Sequence, residues 1–458
     1  MSQKPSVRAV LRNRVMLGWA LYDWANSAYV LCVVTVLGSA YFVYRFNAAA
    51  EHGTLHVGDA PALSLAGVAV TAEAAWSFVV ALAALFVALS SPLLGAIADA
   101  LRAKQRFLQV YCALGALATM GLWFDLPWPL VGLLILLGTI GFEGGNVFYN
   151  AFLPEIARDE EQDLLSSVGY ALGYLGGVLV LIASLILFTP PRGSVQNAFV
   201  LVGLWWAGFA QFTFRWVPES PRSTPSPGLA AVARGAWREL ATTVRALRRY
   251  PQALLFLGAF LLYNDGIATL ISNATPYALQ NIYLDRSLTT RIGLNDLIPA
   301  IIMIQLIAVP GSLLFGWLAT RWGEKTALYL ALAVFTFTVS YGQLALVVSD
   351  FYAMAALIGL VLGGSQAISR ALFATFVPPG KNAEFFAFFA LSSKFSAMFG
   401  PLVYGGLLLL TGSTRLSLLS LTLFFVAGGL LLFLVNVPAG RAQALAGAAG
   451  ALHGAGAP

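Results

Sequence analysis

Apolar runs long enough to cross a bilayer recur along this chain, parted by short polar stretches. A spanning helix needs about 20 mostly apolar residues. Twelve stretches meet that need, at 15–44, 74–98, 105–124, 128–153, 164–189, 196–217, 251–281, 296–320, 325–348, 350–377, 385–411 and 416–437. They are rich in Leu, Ala, Val and Gly and lack the short alternating strands of an outer-membrane barrel. The first run is too long for a cleavable signal and has no small-residue cleavage site after a short core, so it reads as an uncleaved first span.

The longest polar stretch, residues 218–250, parts six spans from six more. It opens with Pro218, Pro221, Pro225 and Pro227 and continues as a basic amphipathic segment holding Arg234, Trp237, Arg238, Arg245, Arg248 and Arg249. Such a segment lies on an anionic leaflet or forms a solvated linker helix. The expected organisation is an N-terminal bundle over 1–217, a linker over 218–250, a C-terminal bundle over 251–437 and an Ala/Gly-rich, disordered tail over 438–458. The expected fold class is an all-α membrane protein with twelve transmembrane helices in two pseudo-symmetric six-helix bundles. A faint internal repeat agrees. Gly95 stands four residues before Asp99 at the end of the second span, followed by Arg102, Lys104 and Arg106. Gly316 stands four residues before Thr320 at the end of the eighth, followed by Arg321 and Lys325. Parallel repeats of this kind are a transporter architecture.

Composition strengthens the membrane reading. Mean hydropathy is +0.80 and only 10% of residues are charged, against about 25% in soluble domains. The net charge of +6 points to nucleic acid only until it is mapped. Nineteen of the 26 Lys and Arg fall on the side of the membrane that holds the N-terminus and five on the other, with Arg370 and Lys394 inside the spans. The positive-inside rule then puts both termini in the cytoplasm, and a bacterial inner membrane is expected. Cys32 and Cys112 lie in apolar spans and make neither a disulfide framework nor a metal site. All three histidines, His52, His56 and His453, lie outside the spans.

Five charges interrupt the spans: Asp23, Glu143, Asp265, Arg370 and Lys394. A charge at the bilayer centre costs at least about 2.5–3.5 kcal/mol, so such residues pair with one another or face a wet cavity, and they mark solute pathways. Four of the five fall on the first, fourth, seventh and tenth spans.

At this point the chain resembles the major facilitator superfamily. The run of Gly95, Asp99, Arg102, Lys104 and Arg106 is similar to that superfamily's loop motif, and the Gly316 run is similar to its degenerate second copy, with Thr320 in place of an acid. A narrower resemblance, to the vacuole-effluxer-like branch, is carried by GWALYDWANSAY at 18–29, VFYNAFLPE at 147–155, SVGYALGY at 167–174, GSQAISR at 364–370, and Glu384, Lys394, Gly400 and Pro401. Fungal members of that branch are associated with amino-acid efflux from the vacuole. The resemblance implies that the first, fourth, seventh and tenth helices line a central cavity. It also implies that Gly95, Asp99, Arg102, Gly316 and Arg321 act in gating.

Arg370 has a planar fork suited to a carboxylate, and Asp23 or Asp265 is suited to an ammonium group. Tyr22, Asn26, Tyr149, Asn150, Asn264, Gln366 and Ser369 offer uncharged hydrogen bonds nearby. The alternative is a set of internal ion pairs, such as Arg370 with Glu143 or Asp265, clamping the halves or acting as gates. Lys394 pairs with an acid or touches cargo. Three acids face two bases, and burial favours a neutral acid, so one acid is a candidate for proton coupling, with Asp23 ranked before Glu143 and Asp265. The expected function is secondary transport of amino acids or similar zwitterions, with export of drugs or other metabolites as the alternative. The expected partners are a small-molecule substrate, protons and membrane lipids, in a monomer without cofactor or nucleic acid. The chain has no phosphate-binding loop, metal cluster or nucleophile motif that would support an enzyme or ATP-driven transport.

Overall fold

The computed structural model describes residues 6–50, 56–57, 60–65, 68–188, 193–219, 250–292, 294–411 and 413–454. The linker helix expected within 218–250 falls almost wholly outside them.

A helix stands at each of the twelve expected positions. These are α1 (Arg14–Ala50), α2 (Ala72–Leu101), α3 (Lys104–Gly121), α4 (Trp128–Ala151), α5 (Asp159–Phe188) and α6 (Val195–Trp216). They continue with α7 (Pro251–Asn281), α8 (Leu294–Trp322), α9 (Glu324–Tyr341), α10 (Val348–Ala374), α11 (Asn382–Thr411) and α12 (Leu421–Leu434). Among the described residues, eight helices are long and apolar enough to cross a membrane, or nine with α2 counted as one bent span. The 44° bend in α2 lies between Ser91 and Leu93, at Pro92, which has no N–H to donate to the preceding turn. The middle of α1, Tyr29–Val36, is a π-helix. There the Thr35 hydroxyl donates to the carbonyl of Val30, 2.9 Å away. The widened turn falls in a run of β-branched residues, whose side chains crowd a regular α-helix. Between α1 and α2 the chain forms three short antiparallel strands, His56–Val57, Ala60–Leu65 and Val68–Thr71, with Leu65 opposite Val68.

The packing repeats with a shift of six helices. α1 packs on α5 and α6 as α7 packs on α11 and α12. α2 meets α4 as α8 meets α10, and α3 meets α6 as α9 meets α12. The halves meet through α5 against α8 and α2 against α11, a pair of contacts related by the same shift. This is the two-bundle architecture expected from the sequence. Small residues set the closest approaches. A Cβ on Gly141 would stand 2.5 Å from the backbone of Gly115, so α3 and α4 touch backbone to backbone. Gly316 of α8 is pressed against Ser167 of α5 and joins the halves near the face that carries the arginine-rich loops, hereafter the basic face.

The tail differs from expectation. Val437–Gly454 is a helix, α13, within the stretch expected to be a disordered tail, whose last residues, 455–458, lie outside the described residues. Alanine has the highest helix propensity, and the helix is docked. Val437 and Ala444 are buried, Gly440 lies against Phe376, and Arg441 pairs with Glu324 at the start of α9.

The α3–α4 contact leaves no room for a methyl group. Gly141→Ala is expected to cost about 1–3 kcal/mol through overpacking and to lower the thermal midpoint of the detergent-purified protein. An unchanged midpoint would mean that these two backbones are not in contact.

Candidate functional site

The site is built around the buried cation Arg370, near the basic end of α10. The residue is 2% exposed. All five of its N–H donors are taken. Nη1 donates to Asp23 Oδ2 at 3.1 Å and to Asn150 Oδ1 at 3.2 Å. Nη2 donates to Asp23 Oδ2 at 3.2 Å and to the Ser166 carbonyl at 2.9 Å. Nε donates to Ser166 Oγ at 2.8 Å. Arg370 belongs to the C-terminal half, while Asp23 of α1, Asn150 of α4 and Ser166 of α5 belong to the other. The guanidinium therefore ties the halves together. Ser166 strengthens the tie by donating its hydroxyl to the Ala367 carbonyl at 2.8 Å.

Aromatic rings wall the pair. The guanidinium carbon lies 4.3 Å from the ring centre of Tyr170, 4.8 Å from that of Trp19 and 5.6 Å from that of Tyr149, where the ring faces attract a cation. Tyr149 also donates its hydroxyl to Asp23 Oδ2 at 2.9 Å, and Trp19 Nε1 donates to the Tyr149 carbonyl at 2.9 Å. Trp19 and Tyr149 stack with centroids 4.5 Å apart. Gly169 makes room for the ion pair, since a Cβ there would stand 2.6 Å from Asp23 Oδ2 and 3.1 Å from Arg370 Nη2.

The structure thus gathers Asp23, Tyr149, Asn150 and Arg370 into one cluster. The acid that Arg370 meets is Asp23, not Glu143 or Asp265. Helical phase explains the choice, because Asp23 faces across the seam between the halves. Asp265 is fully buried and holds α7 to α11, accepting the Gly400 N–H at 2.7 Å and the Thr269 hydroxyl at 3.5 Å. Glu143 is half-buried on α4, within electrostatic reach of Tyr29 and Tyr170. The ring of Tyr22 lies 5.0 Å from that of Tyr149. Asn26 donates to Asn146 at 2.9 Å, and Gln366 accepts the Tyr174 hydroxyl at 2.9 Å across the halves. Ser369 is taken up by Tyr263 at 2.6 Å and by the Ser365 carbonyl. Asn264 is half-buried on α7. The side chain of Lys394 lies outside the described residues.

At the basic face lie the residues expected to act in gating. Asp99 meets Lys104 at 3.3 Å. Arg102 occupies the turn between α2 and α3 with φ 47°, is exposed, and lines the same cavity as Asp99 and Lys104. Lys104 also pairs with Glu155, which accepts the Asn382 amide from the other half at 2.9 Å. This chain lines a cavity of about 520 Å³ with Arg441 and Ala444 of α13. Gly95 is buried in α2, and Arg321 lies over the Trp317 ring at 6.0 Å. Among the described residues, the hydrogen bonds between halves run from this face to about mid-depth. Sequence reading passed over Trp19, Ser166, Tyr170, Glu155 and Asn382. Most of these lie within or beside the quoted strings, which was the available signal, but a lone serine or asparagine carries none.

Neutralising one member of the central pair strands the other. Asp23→Asn is expected to cost about 3–5 kcal/mol, as breaking a buried pair does, and to lower the thermal midpoint accordingly. The exchanged variant D23R/R370D should recover part of the loss. A midpoint equal to wild type in Asp23→Asn would show that the pair is not formed.

Comparison with known proteins places this chain in a family. The family described as "Vacuole effluxer Atg22 like" matches residues 12–445. An uncharacterized MFS-type transporter of Bacillus subtilis, YxiO, is 30% identical over 429 residues, covering 91% of this chain and 94% of that protein. Autophagy-related protein 22-2 of Emericella nidulans is 29% identical over 323 residues, 62% of this chain but only 52% of the longer fungal protein. Among solved structures, the human organic anion transporter MFSD10 (TETRAN) superposes with a TM-score of 0.67 at 16% identity, over 92% of this chain and 99% of that one. The major facilitator superfamily proton:xylose symporter XylE gives 0.65 at 15% identity, over 94% and 97%. These two likenesses show the major facilitator fold. With the family match running over nearly its whole length, the chain belongs to the vacuole effluxer Atg22-like family, as an MFS-type transporter and not an enzyme.

Proposed function

We propose that this transporter moves a small polar solute, namely amino acids or similar zwitterions, by alternating access between its two halves. The observation that carries this reading is the Asp23–Arg370 pair, one fixed cation and one anion buried together on the seam where the halves meet. An apolar cargo would need neither charge. Tyr22, Tyr149, Asn150 and Gln366 supply hydrogen-bonding groups on both halves around the same seam. The description of the family as vacuole effluxers supports transport out of a compartment or cell.

Proton coupling belongs to the same reading. Asp23 has a countercharge in Arg370, whereas the donors described around the buried Asp265 are neutral. Asp265 is therefore the acid assigned to a coupled proton. Asp99, Lys104, Glu155 and Asn382 serve as the gate on the basic face, which the positive-inside rule makes cytoplasmic. The protein then works as a monomer in a bacterial inner membrane, with both termini in the cytoplasm.

Flux of each of the twenty amino acids into proteoliposomes tests the cargo. Wild type is expected to show saturable flux that Arg370→Ala abolishes. An imposed pH gradient should change the wild-type rate, and Asp265→Asn should remove that response while leaving gradient-free exchange. Absence of flux for all twenty, from folded protein, would reject amino acids and put drugs or other metabolites in their place.

A further inference from the structure

Arg370 has no donor left for a solute, because all five N–H groups are used across the seam between the halves. The guanidinium also lies against the rings of Trp19, Tyr149 and Tyr170. In its plane, Asp23 holds the Nη1–Nη2 edge, while the Ser166 hydroxyl and carbonyl hold the Nε–Nη2 edge. Asp23 is held unevenly. Oδ2 receives Nη1, Nη2 and the Tyr149 hydroxyl, whereas among the described residues Oδ1 receives no hydrogen bond, and the side chain keeps 11% of its surface exposed.

We infer that the Asp23–Arg370 pair is the lock that keeps the basic face shut, and that a two-charge solute opens it by replacing the pair. This rests on the zwitterion reading above and adds the order of events. The ammonium group of the solute settles on the open Oδ1 of Asp23. Its carboxylate then takes the edge of the Arg370 fork that Asp23 gives up. Both buried charges stay compensated throughout, so the halves can part. A solute with only one charge would leave Asp23 or Arg370 buried without a partner, which is strongly unfavourable. Specificity for zwitterions thus comes from the lock as well as from any pocket. It also makes the empty transporter slow to reorient, so exchange outruns net flux.

Opening can be read without measuring transport. Ser167 is fully buried in α5 against Gly316 of α8, and the native Cys32 and Cys112 are buried. A Ser167→Cys reporter labelled with a membrane-impermeant maleimide from the basic face therefore reports separation of the halves. In that background, D23N/R370Q is expected to label at least tenfold faster than the parent with no solute present. Asn150→Ala keeps both charges, removes one hydrogen bond across the seam, and should label at an intermediate rate, which guards against misfolding of the double variant. Leucine should speed labelling of the parent, whereas isoamylamine, lacking the carboxylate, and isovalerate, lacking the ammonium, should not. If leucine is not carried in the flux experiment, the amino acid that is carried replaces it, with its own amine and acid.

Unchanged labelling in both variants overturns the lock. Acceleration by the amine or the acid alone overturns the two-charge requirement. If amino acids are transported yet none speeds labelling, the unlocking step is wrong while the transport reading stands. If D23N/R370Q opens but no amino acid is transported or speeds labelling, cargo-driven unlocking fails together with the amino-acid reading.

Discussion

A guanidinium sealed between two helical bundles must be compensated on every side, and the centre of this protein is arranged to do that. Arg370 carries a permanent charge and five donors into a place with 2% exposure. One acid, two side-chain oxygens and one carbonyl receive those donors. Aromatic rings lie against it as well. Gly169 is required because a methyl group there would occupy the space that the ion pair needs. The two halves are thereby joined by an interaction that is costly to break and cheap only to exchange.

That property links packing to transport. The contacts of α5 with α8 and of α2 with α11 are related by the six-helix shift, so neither half is privileged. Small residues such as Gly316 let the seam close tightly at the basic face. Beyond the central pair, Lys104 gathers Asp99 and Glu155, and Asn382 brings in the other half. The docked α13 walls the same cavity through Arg441 and Ala444. Closure is thus built from two polar layers, one at the site and one at the surface, with small residues between them.

Much of this was legible in the residues. A need for about 20 apolar residues per span located all twelve helices, and the cost of a charge in lipid singled out Asp23 and Arg370 before any contact was known. The short strings around Trp19, Tyr149 and Tyr170 carried the family. The docking of the tail was not legible, since an Ala/Gly-rich stretch has the same composition whether it is disordered or held by Arg441 and Glu324. The way Lys104 gathers Asp99 and Glu155 at the start of α3 was equally silent.

By itself, the sequence determined that the chain is a multi-pass helical membrane protein and that a few charges must be compensated inside it, because hydropathy and charge burial are local costs paid residue by residue. Which acid compensates Arg370 was decided only by tertiary structure. Asp23, Glu143 and Asp265 are equally anionic and equally intramembrane on paper. The rotation of each helix about its axis, and the docking of one half on the other, turn Asp23 to the seam and commit Asp265 to the N–H of Gly400. Ser166 gains its place the same way, as a serine that matters because an arginine 204 positions away arrives beside it.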